Sequence, residues 1–137
     1  MEIRGYRDED YGKVKELLMA TDMYAEGVDT KDALGRKIKF SPDSIIAAEE
    51  NGKIAGVIYL TIDPWITFLH HLAVHPDFEG KGVGTALIEE AENIAKKANA
   101  KWAALMVETK KAEARKFYEK KGWKTVNTNN LMFKEIK

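Results

Sequence analysis

Hydrophobic periodicity divides the N-terminal part of the chain into one strand and two helices. The residues from Met1 to Arg4 are typical of a short edge strand. Asp8 is a suitable N-cap for a first helix, whose apolar positions recur at helical spacing at Tyr11, Val14, Leu17 and Leu18. A second helix is expected to begin at a capping box formed by Asp29 and Asp32 and to end near Phe40.

The middle of the chain has the pattern of a β-hairpin followed by a further strand. Two apolar runs, Ile45 to Glu50 and Lys53 to Ile62, flank the dipeptide Asn51-Gly52. This dipeptide favours a type I′ turn, because both central residues of that turn need a positive φ. Asp63-Pro64 ends the second run, since proline cannot donate to a sheet. Trp65 to Val74 then predicts another strand.

A helix and a second apolar strand follow. The helix has one apolar stripe, formed by Val83, Leu87, Ala91, Ile94 and Ala98. Trp102 to Val107 is a continuous apolar run, as in a strand that is covered on both faces. Strand, helix and strand in this order predict a parallel pair with a right-handed crossover. We expect these two strands to be central in the sheet.

The C-terminal part predicts one more helix and a closing hairpin. The helix runs from about Ala112 to Lys121, and Gly122 follows as its C′ residue. Trp123 to Val126 and Leu131 to Ile136 are then expected to pair as strands across the polar residues between them.

Length and composition favour a single domain over residues 1–137. Lys plus Arg and Asp plus Glu number 22 each, so no global basic field indicates nucleic acid or a membrane surface as a partner. The chain contains no cysteine, which excludes disulfides, thiolate metal sites and a cysteine nucleophile. The N-terminus is polar and no apolar run approaches the length of a membrane span, so we expect a cytoplasmic protein.

The stretch from His71 to Ala86, HLAVHPDFEGKGVGTA, places a glycine-spaced loop between an apolar strand and a helix. Gly80, Gly82 and Gly84 allow a ligand to approach the backbone closely, and the first amides of a helix have no intrahelical acceptor. Such a loop is suited to bind a phosphate or a pyrophosphate. Its spacing matches neither a P-loop nor the dinucleotide-binding fingerprint.

Three blocks of residues resemble those of a known family. They read Leu72-Ala-Val-His-Pro76, Glu79-Gly-Lys-Gly-Val-Gly84 and Ala114-x-x-Phe-Tyr118-x-x-x-Gly-Trp123. Together, over roughly residues 68–123, they resemble the GNAT superfamily of acyl-CoA-dependent N-acyltransferases. The resemblance implies an α/β (α+β) fold with a mixed central sheet of about seven strands, helices on both faces and two parallel central strands that splay apart.

The resemblance also implies acetyl-CoA as cosubstrate, with the pyrophosphate of coenzyme A bound by amides of the glycine loop. Residue by residue, the cofactor-binding set is Leu72, Ala73, Val74, Glu79, Gly80, Lys81, Gly82, Val83, Gly84, Thr85 and Phe117. Leu72 and Val74 are expected to bond the pantetheine amides as a neighbouring strand would. Two positions depart from the family pattern, because Glu79 stands where Arg or Gln is usual and Lys111 stands where Asn is common.

The expected reaction is direct transfer of the acetyl group to a primary amine in a ternary complex, because no cysteine is present to carry it. The resemblance implies Tyr118 as the acid that protonates the departing thiolate, and the Val74 N–H as the oxyanion donor. For the base we favour His70, with His71 next, because imidazole titrates in the right range. Glu108, acting on the amine directly or through water, is the alternative.

The two adjacent histidines are expected on opposite faces of their strand. Alternation places His70 with Phe68, Leu72 and Val74, and His71 with Leu69 and Ala73, unless a β-bulge intervenes. Since side chains on opposite faces cannot readily chelate one ion, we expect no metal site.

The resemblance implies that the acceptor wall comes from the first two helices, their loop and the turn at Pro64. The residues expected there are Met19, Met23, Tyr24, Glu26 and Trp65, with Glu108 on the opposite strand. Aromatic and thioether groups suit a partly apolar acceptor, and Glu26 suits a cationic amine.

Several alternatives stay open at this point. The acceptor is a peptide N-terminus, a lysine side chain, a polyamine or an antibiotic, and the protein is a monomer or a homodimer. A non-catalytic acyl-CoA-binding or regulatory module on the same fold is the second hypothesis. A nucleotide-binding or phosphate-binding protein unrelated to coenzyme A is the third, although it leaves the block at Tyr118 unexplained.

Overall fold

A computed structural model describes all residues from Met1 to Lys137. Its helices and strands are β1 Glu2–Gly5, α1 Tyr11–Ala20, α2 Lys31–Phe40, β2 Ile45–Glu50, β3 Lys53–Thr61, β4 Ile66–Val74, α3 Val83–Lys97, β5 Trp102–Leu105 and α4 Ala112–Glu119. Short 3-10 turns occupy Asp8–Asp10 and Pro76–Phe78. The chain divides into two compact units, Met1–Leu105 and Met106–Lys137. The first unit contains the whole sheet.

The sheet has five strands in the order β1-β2-β3-β4-β5. The first three pairings are antiparallel, whereas β4 and β5 are parallel and are connected through α3. This confirms the mixed sheet and the predicted parallel pair. The Asn51-Gly52 turn is confirmed as well, because φ is +52° at Asn51 and +76° at Gly52, as a type I′ turn requires.

The expected count of about seven strands is wrong, because residues 123–126 and 131–136 form no hairpin. Their own unit contains the helix α4 and no strand that could pair with them. An isolated two-stranded hairpin is marginally stable in water. The expectation that β5 is central is wrong for the same reason. It is the edge strand of the sheet, and the Trp102 side chain at its start is 65% exposed.

Helices cover both faces of the sheet in the first unit. Val57 and Tyr59 of β3 belong to a buried cluster that includes Val14 and Leu17 of α1 and Leu34 of α2. Gly56, the neighbour of Val57, faces the other way, toward Val83 and Leu87 of α3. Because successive strand residues point to opposite faces, α1 and α2 lie on one face and α3 lies on the other.

Neither predicted residue is the N-cap of its helix, and the N-cap of α1 is Asp10. Asp10, rather than Asp8, accepts the Arg7 N–H at 2.8 Å, and it also binds the Arg4 guanidinium through bonds of 2.8 and 3.0 Å. The cap of α2 is Thr30, whose hydroxyl accepts the Ala33 N–H at 3.2 Å. The side chain of Asp29, the predicted cap, points into the interior instead.

The helices of this chain are all too short or too polar to cross a membrane.

Candidate active site

The glycine loop joins β4 to α3 in the predicted order. Gly80 and Gly82 have φ values of +74° and +81°, and Gly82 is the N-cap of α3. A β-carbon at either position would meet no atom within 4 Å. Glycine is therefore needed here for its left-handed backbone conformation, while the space beside the backbone stays open.

The N-terminus of α3 presents unpaired amides to this space. The first helical hydrogen bond runs from the Ala86 N–H to the Gly82 carbonyl at 3.0 Å. The N–H groups of Val83, Gly84 and Thr85 precede it and have no intrahelical acceptor. No acidic residue lies in the first turn of α3. This geometry fits an anionic ligand such as a pyrophosphate.

Glu79 and Lys81, at the mouth of the loop, do not pair with each other. The Glu79 side chain is exposed and follows the 3-10 turn at Pro76–Phe78. The Lys81 ammonium lies 5.3 Å from the centroid of the Phe78 ring, a cation–π distance. Lys81 is thus held beside the loop by an aromatic ring rather than by a carboxylate.

The parallel pair separates before the end of β4. Pairing with β5 runs from Ile66 opposite Trp102 to Leu69 opposite Leu105, whereas β4 continues to Val74. The His75 N–H donates to the Ala55 carbonyl of β3 at 2.8 Å. Because peptide groups alternate between the two edges of a strand, the Val74 N–H is directed to the edge that β5 no longer pairs.

A β-bulge interrupts β4 at His71. Val57 pairs with Ala73 and Tyr59 with His70, so two steps along β3 match three steps along β4. His71, within the extra step, has a φ of +46°. The bulge re-aims the side chains that follow it.

The bulge, which the sequence analysis left open, overturns the expectation that His70 and His71 lie on opposite faces and that Val74 lies with His70, whereas His71 does lie with Ala73. The His71 ring stacks on Tyr59 at 4.8 Å with 9° between the planes, and Tyr59 is paired with His70. Ala73 belongs to the same buried cluster as Tyr59, whereas Val74 is paired with Gly56 and lies on the α3 side. Both histidines and Ala73 thus share the α1–α2 face.

His70 lies in a partly buried environment. Its Nε2 atom is 2.9 Å from Oγ1 of Thr61, and its ring centroid is 4.8 Å from that of Phe68. Burial, followed by the positive charge of Lys37, lowers the pKa of His70 to about 4. The ring is neutral at physiological pH, in the form that can accept a proton.

His71 contacts a residue that the sequence did not connect with the site. Its Nε2 atom is 3.3 Å from Oδ2 of Asp29, a carboxylate whose side chain is 0% exposed. The cluster of histidines in the sequence pointed to this region, but no local pattern pointed to Asp29. The described residues hold no group of three or more His, Cys, Asp or Glu side chains suited to a metal ion.

The residues expected along the acceptor wall occupy different environments. Met23 and Tyr24 pack against the buried cluster on the α1–α2 face. Glu26 is exposed and accepts a hydrogen bond from the Tyr24 hydroxyl at 3.0 Å. Trp65 and Met19 are 78% and 61% exposed, respectively.

The second unit contains the other predicted residues. In α4 the rings of Phe117 and Tyr118 are in edge contact at 5.1 Å, and Tyr118 is in similar contact with Trp123 at 6.2 Å. Burial raises the pKa of Tyr118. The helix ends at Glu119, two residues earlier than predicted, while Gly122 has the predicted left-handed φ of +90° and donates to the Glu119 carbonyl at 3.1 Å.

Glu108 is a surface carboxylate in the second unit. Its oxygens lie 3.7 Å from the Lys110 ammonium and 3.8 Å from the Lys111 ammonium. Lys111 therefore forms an ion pair with Glu108. It occupies the second position that departs from the family pattern.

A mixed sheet whose parallel strands separate beside a glycine-rich helix N-terminus is the arrangement that the resemblance to the GNAT superfamily implies. The model of the Acetyltransferase (GNAT) family matches residues 11–123 of this chain. The chain belongs to this family, and the resemblance given by its three sequence blocks is confirmed.

Relatives and solved structures agree with this assignment. An acetyltransferase of Photorhabdus laumondii is 36% identical over 92 residues, which are 67% of this chain and 64% of the relative. An acetyltransferase of Pectobacterium atrosepticum is also 36% identical over 92 residues, which are 67% of this chain and 65% of that relative. The match thus spans less than two thirds of the length of these relatives. The PaiA N-acetyltransferase of Thermoplasma acidophilum, solved with coenzyme A, has a TM-score of 0.82 and 25% identity, covering 93% of this chain and 92% of that one.

Proposed function

We propose that this protein transfers the acetyl group of acetyl-CoA to a primary amine by direct attack in a ternary complex. The observation that carries the proposal is the row of unpaired amides at the start of α3, directly after two glycines in left-handed conformation. The coenzyme A bound to the PaiA structure, together with the names of the curated relatives, supports the same activity.

In this proposal the amides from Lys81 to Thr85 bind the pyrophosphate of coenzyme A. The side chain of Val83 is buried and anchors α3, so its amide is presented by a fixed helix end. Glu79 is exposed, and it adds a negative charge near the pyrophosphate that costs affinity unless solvent screens it. The pantetheine arm follows the unpaired edge of β4 at Leu72, Ala73 and Val74, and Phe117 completes the cofactor-binding set.

The amine attacks the thioester carbonyl, and negative charge then develops on the carbonyl oxygen. The Val74 N–H, directed to the unpaired edge of β4, is the proposed donor to that oxygen. Tyr118 is the proposed acid for the departing thiolate. Burial raises the pKa of this phenol, so it carries the proton that a general acid must donate.

The acceptor is proposed to approach from the α1–α2 face. Met23 and Tyr24 supply apolar and aromatic surface there, while Glu26, held by Tyr24, supplies a negative charge for a cationic amine. Trp65, exposed just before β4, and Glu108 are the remaining proposed acceptor residues. This set favours a primary amine that carries both an apolar portion and a positive charge.

The deciding experiment is thiol release from acetyl-CoA in the presence of a panel of primary amines. We expect release that depends on both substrates, together with an acetylated amine of the correct mass. Thermal unfolding with coenzyme A and, separately, with ATP tests the binding site. Stabilisation by coenzyme A without thiol release over the whole panel would favour the acyl-CoA-binding module instead, and equal stabilisation by ATP would contradict the assignment of the cofactor.

A further inference from the structure

Asp29 is a fully buried carboxylate in the segment that joins α1 to α2. The segment is fixed by its backbone, because the Asp29 N–H donates to the Ala25 carbonyl at 2.9 Å and the Tyr11 hydroxyl donates to the Asp29 carbonyl at 2.9 Å. Oδ2 accepts the Ala25 N–H at 2.8 Å, whereas Oδ1 forms no hydrogen bond of good geometry, although the buried Tyr59 hydroxyl interacts with this carboxylate. A buried carboxylate whose oxygens are not fully hydrogen-bonded is costly, so this residue calls for an explanation beyond its turn.

His71 is the side chain that reaches this carboxylate. Its Nε2 atom is 3.3 Å from Oδ2 of Asp29, and its side chain is 27% exposed. The ring is stacked on Tyr59, and the backbone has a φ of +46°, in a left-handed region that is uncommon for residues other than glycine, although histidine adopts it more often than most. Backbone strain of this kind persists where the surrounding structure enforces it, and it is concentrated at functional sites.

The contact determines which ring nitrogen is available. A carboxylate only accepts hydrogen bonds, so the shared hydrogen lies on Nε2 of His71 and the lone pair lies on Nδ1. The distance of 3.3 Å is long for a hydrogen bond, as is common for catalytic pairs before substrate binds.

We propose that His71 accepts the proton of the attacking amine at Nδ1, and that Asp29 positions the imidazole and stabilises the imidazolium. This inference rests on the proposed acetyl transfer. The C–N bond forms as the amine attacks the thioester, and one N–H proton passes to His71. The C–S bond then breaks and the sulfur takes a proton from Tyr118. The imidazolium afterwards releases its proton to solvent and the tyrosinate regains one, so both residues are restored.

The surroundings favour His71 over His70 as the acceptor. Burial and the charge of Lys37 disfavour the protonated form of His70, which makes His70 a weak base. His71 instead lies 3.3 Å from the buried carboxylate of Asp29, which attracts a positive charge on the ring. The titratable groups around the two rings are Asp29 from the α1–α2 segment, Lys37 from α2, Tyr59 from β3 and, beyond Tyr59, Tyr6 and Tyr11.

Two substitutions separate the roles of the pair. His71→Asn removes the base but keeps a residue that tolerates a positive φ, and we expect kcat to fall about 100-fold with KM for acetyl-CoA unchanged. Asp29→Asn keeps the acceptor for the Ala25 N–H, and we expect kcat to fall about tenfold. The matched control is Asp32→Asn, since Asp32 lies on the exposed surface of α2 and pairs only with Arg36 there.

A purely structural role of Asp29 is tested by readouts that folding alone would not change. The pH profile of kcat is expected to change in Asp29→Asn and in His71→Asn, while thermal unfolding shows that both variants are folded. The ¹⁵N chemical shifts of the His71 ring in the free protein should report a hydrogen on Nε2, and Asp29→Asn should shift the tautomer equilibrium toward Nδ1. A ring protonated at Nδ1 in the wild type, or a folded His71→Asn variant with full kcat, would overturn the inference.

Failure of the proposed acetyl transfer can be distinguished from failure of the proposed role of Asp29 and His71. In the first case the wild-type protein releases no thiol with any amine, while the ring of His71 still shows the expected tautomer; the pair is then real, and its role in catalysis is refuted. If wild-type protein is active and both variants match Asp32→Asn in rate and pH profile, acetyl transfer stands and the role of the pair is refuted.

Discussion

A β-carbon on Gly56 would lie 2.7 Å from Cγ1 of Val83 and 3.0 Å from Cδ1 of Leu87. Gly56 is in β3, and Val83 is the first residue of α3. The missing side chain therefore allows the start of α3 to approach the sheet closely. Because Val83 directly follows Gly82, this contact also positions the glycine loop.

Replacing Gly56 with alanine is expected to destabilise the fold and weaken cofactor binding together. Inserting a methyl group into a packed contact costs about 1–3 kcal/mol, and relief requires α3 to move away from the sheet. We expect a lower melting temperature and a higher KM for acetyl-CoA, measured by thermal unfolding and steady-state kinetics. Gly12→Ala is the control, because Gly12 is exposed in α1 with no atom near its β-carbon position; that variant should be slightly more stable.

Gly82→Ala should weaken binding of coenzyme A beyond its effect on stability. The substitution strains a φ of +81° by about 1–2 kcal/mol, and relief of the strain reorients the amides that follow. Gly52→Ala places the same strain on the β2–β3 turn, where φ is +76°. Calorimetric titration with coenzyme A should show reduced affinity for the Gly82 variant alone. Equal affinities in the two variants would remove the glycine loop from the binding site.

Tyr118→Phe is expected to lower kcat without changing KM for acetyl-CoA, because the phenol donates a proton only as the thiolate leaves. A reduction of about 10²-fold or more is the usual size for the loss of a general acid. Since the pKa of Tyr118 is raised, wild-type activity should not decline from ionisation of this group below the usual range of tyrosine. Tyr6→Phe is the control for stability, as the Tyr6 hydroxyl is buried without a partner and its loss should leave the melting temperature intact.

His70 should make the folded state sensitive to acid. Its pKa is about 4 in the fold, against an ordinary value of 6.5, so between these values the unfolded chain binds the proton and the folded chain does not. Stability is therefore complete above the ordinary value and falls as the pH drops toward 4. In His70→Gln, which retains a partner for Thr61, melting temperatures over this range should fall less steeply than in the wild type. Parallel slopes in the two proteins would contradict this account.

The features that the sequence predicts best depend on neighbouring residues alone. The Asn51-Gly52 turn and the left-handed Gly82 at the start of α3 both follow from local backbone chemistry. Helix α3 follows from a strong apolar stripe, and the parallel pair follows from the order of strand, helix and strand.

The features that the sequence misses depend on distant partners. Asp29 and His71 are 42 residues apart, and no periodicity links a buried carboxylate to a ring on another element. The bulge at His71 has no signature in the sequence, because alternation is the default for an apolar strand. The predicted strands after residue 122 contain apolar residues, but pairing also requires a sheet edge, which their own unit does not supply.

The bulge in β4 also makes one strand into two surfaces that can vary separately. Residues up to His70 keep one phase against β3, and residues from Ala73 onward keep another. Side chains before the bulge can therefore change while the amide of Val74 stays in place. Removing one residue between His70 and Ala73 would give the whole strand one register against β3, and the side chains on one side of the deletion would move to the opposite face of the sheet. The length of β4 is therefore constrained more tightly than its composition.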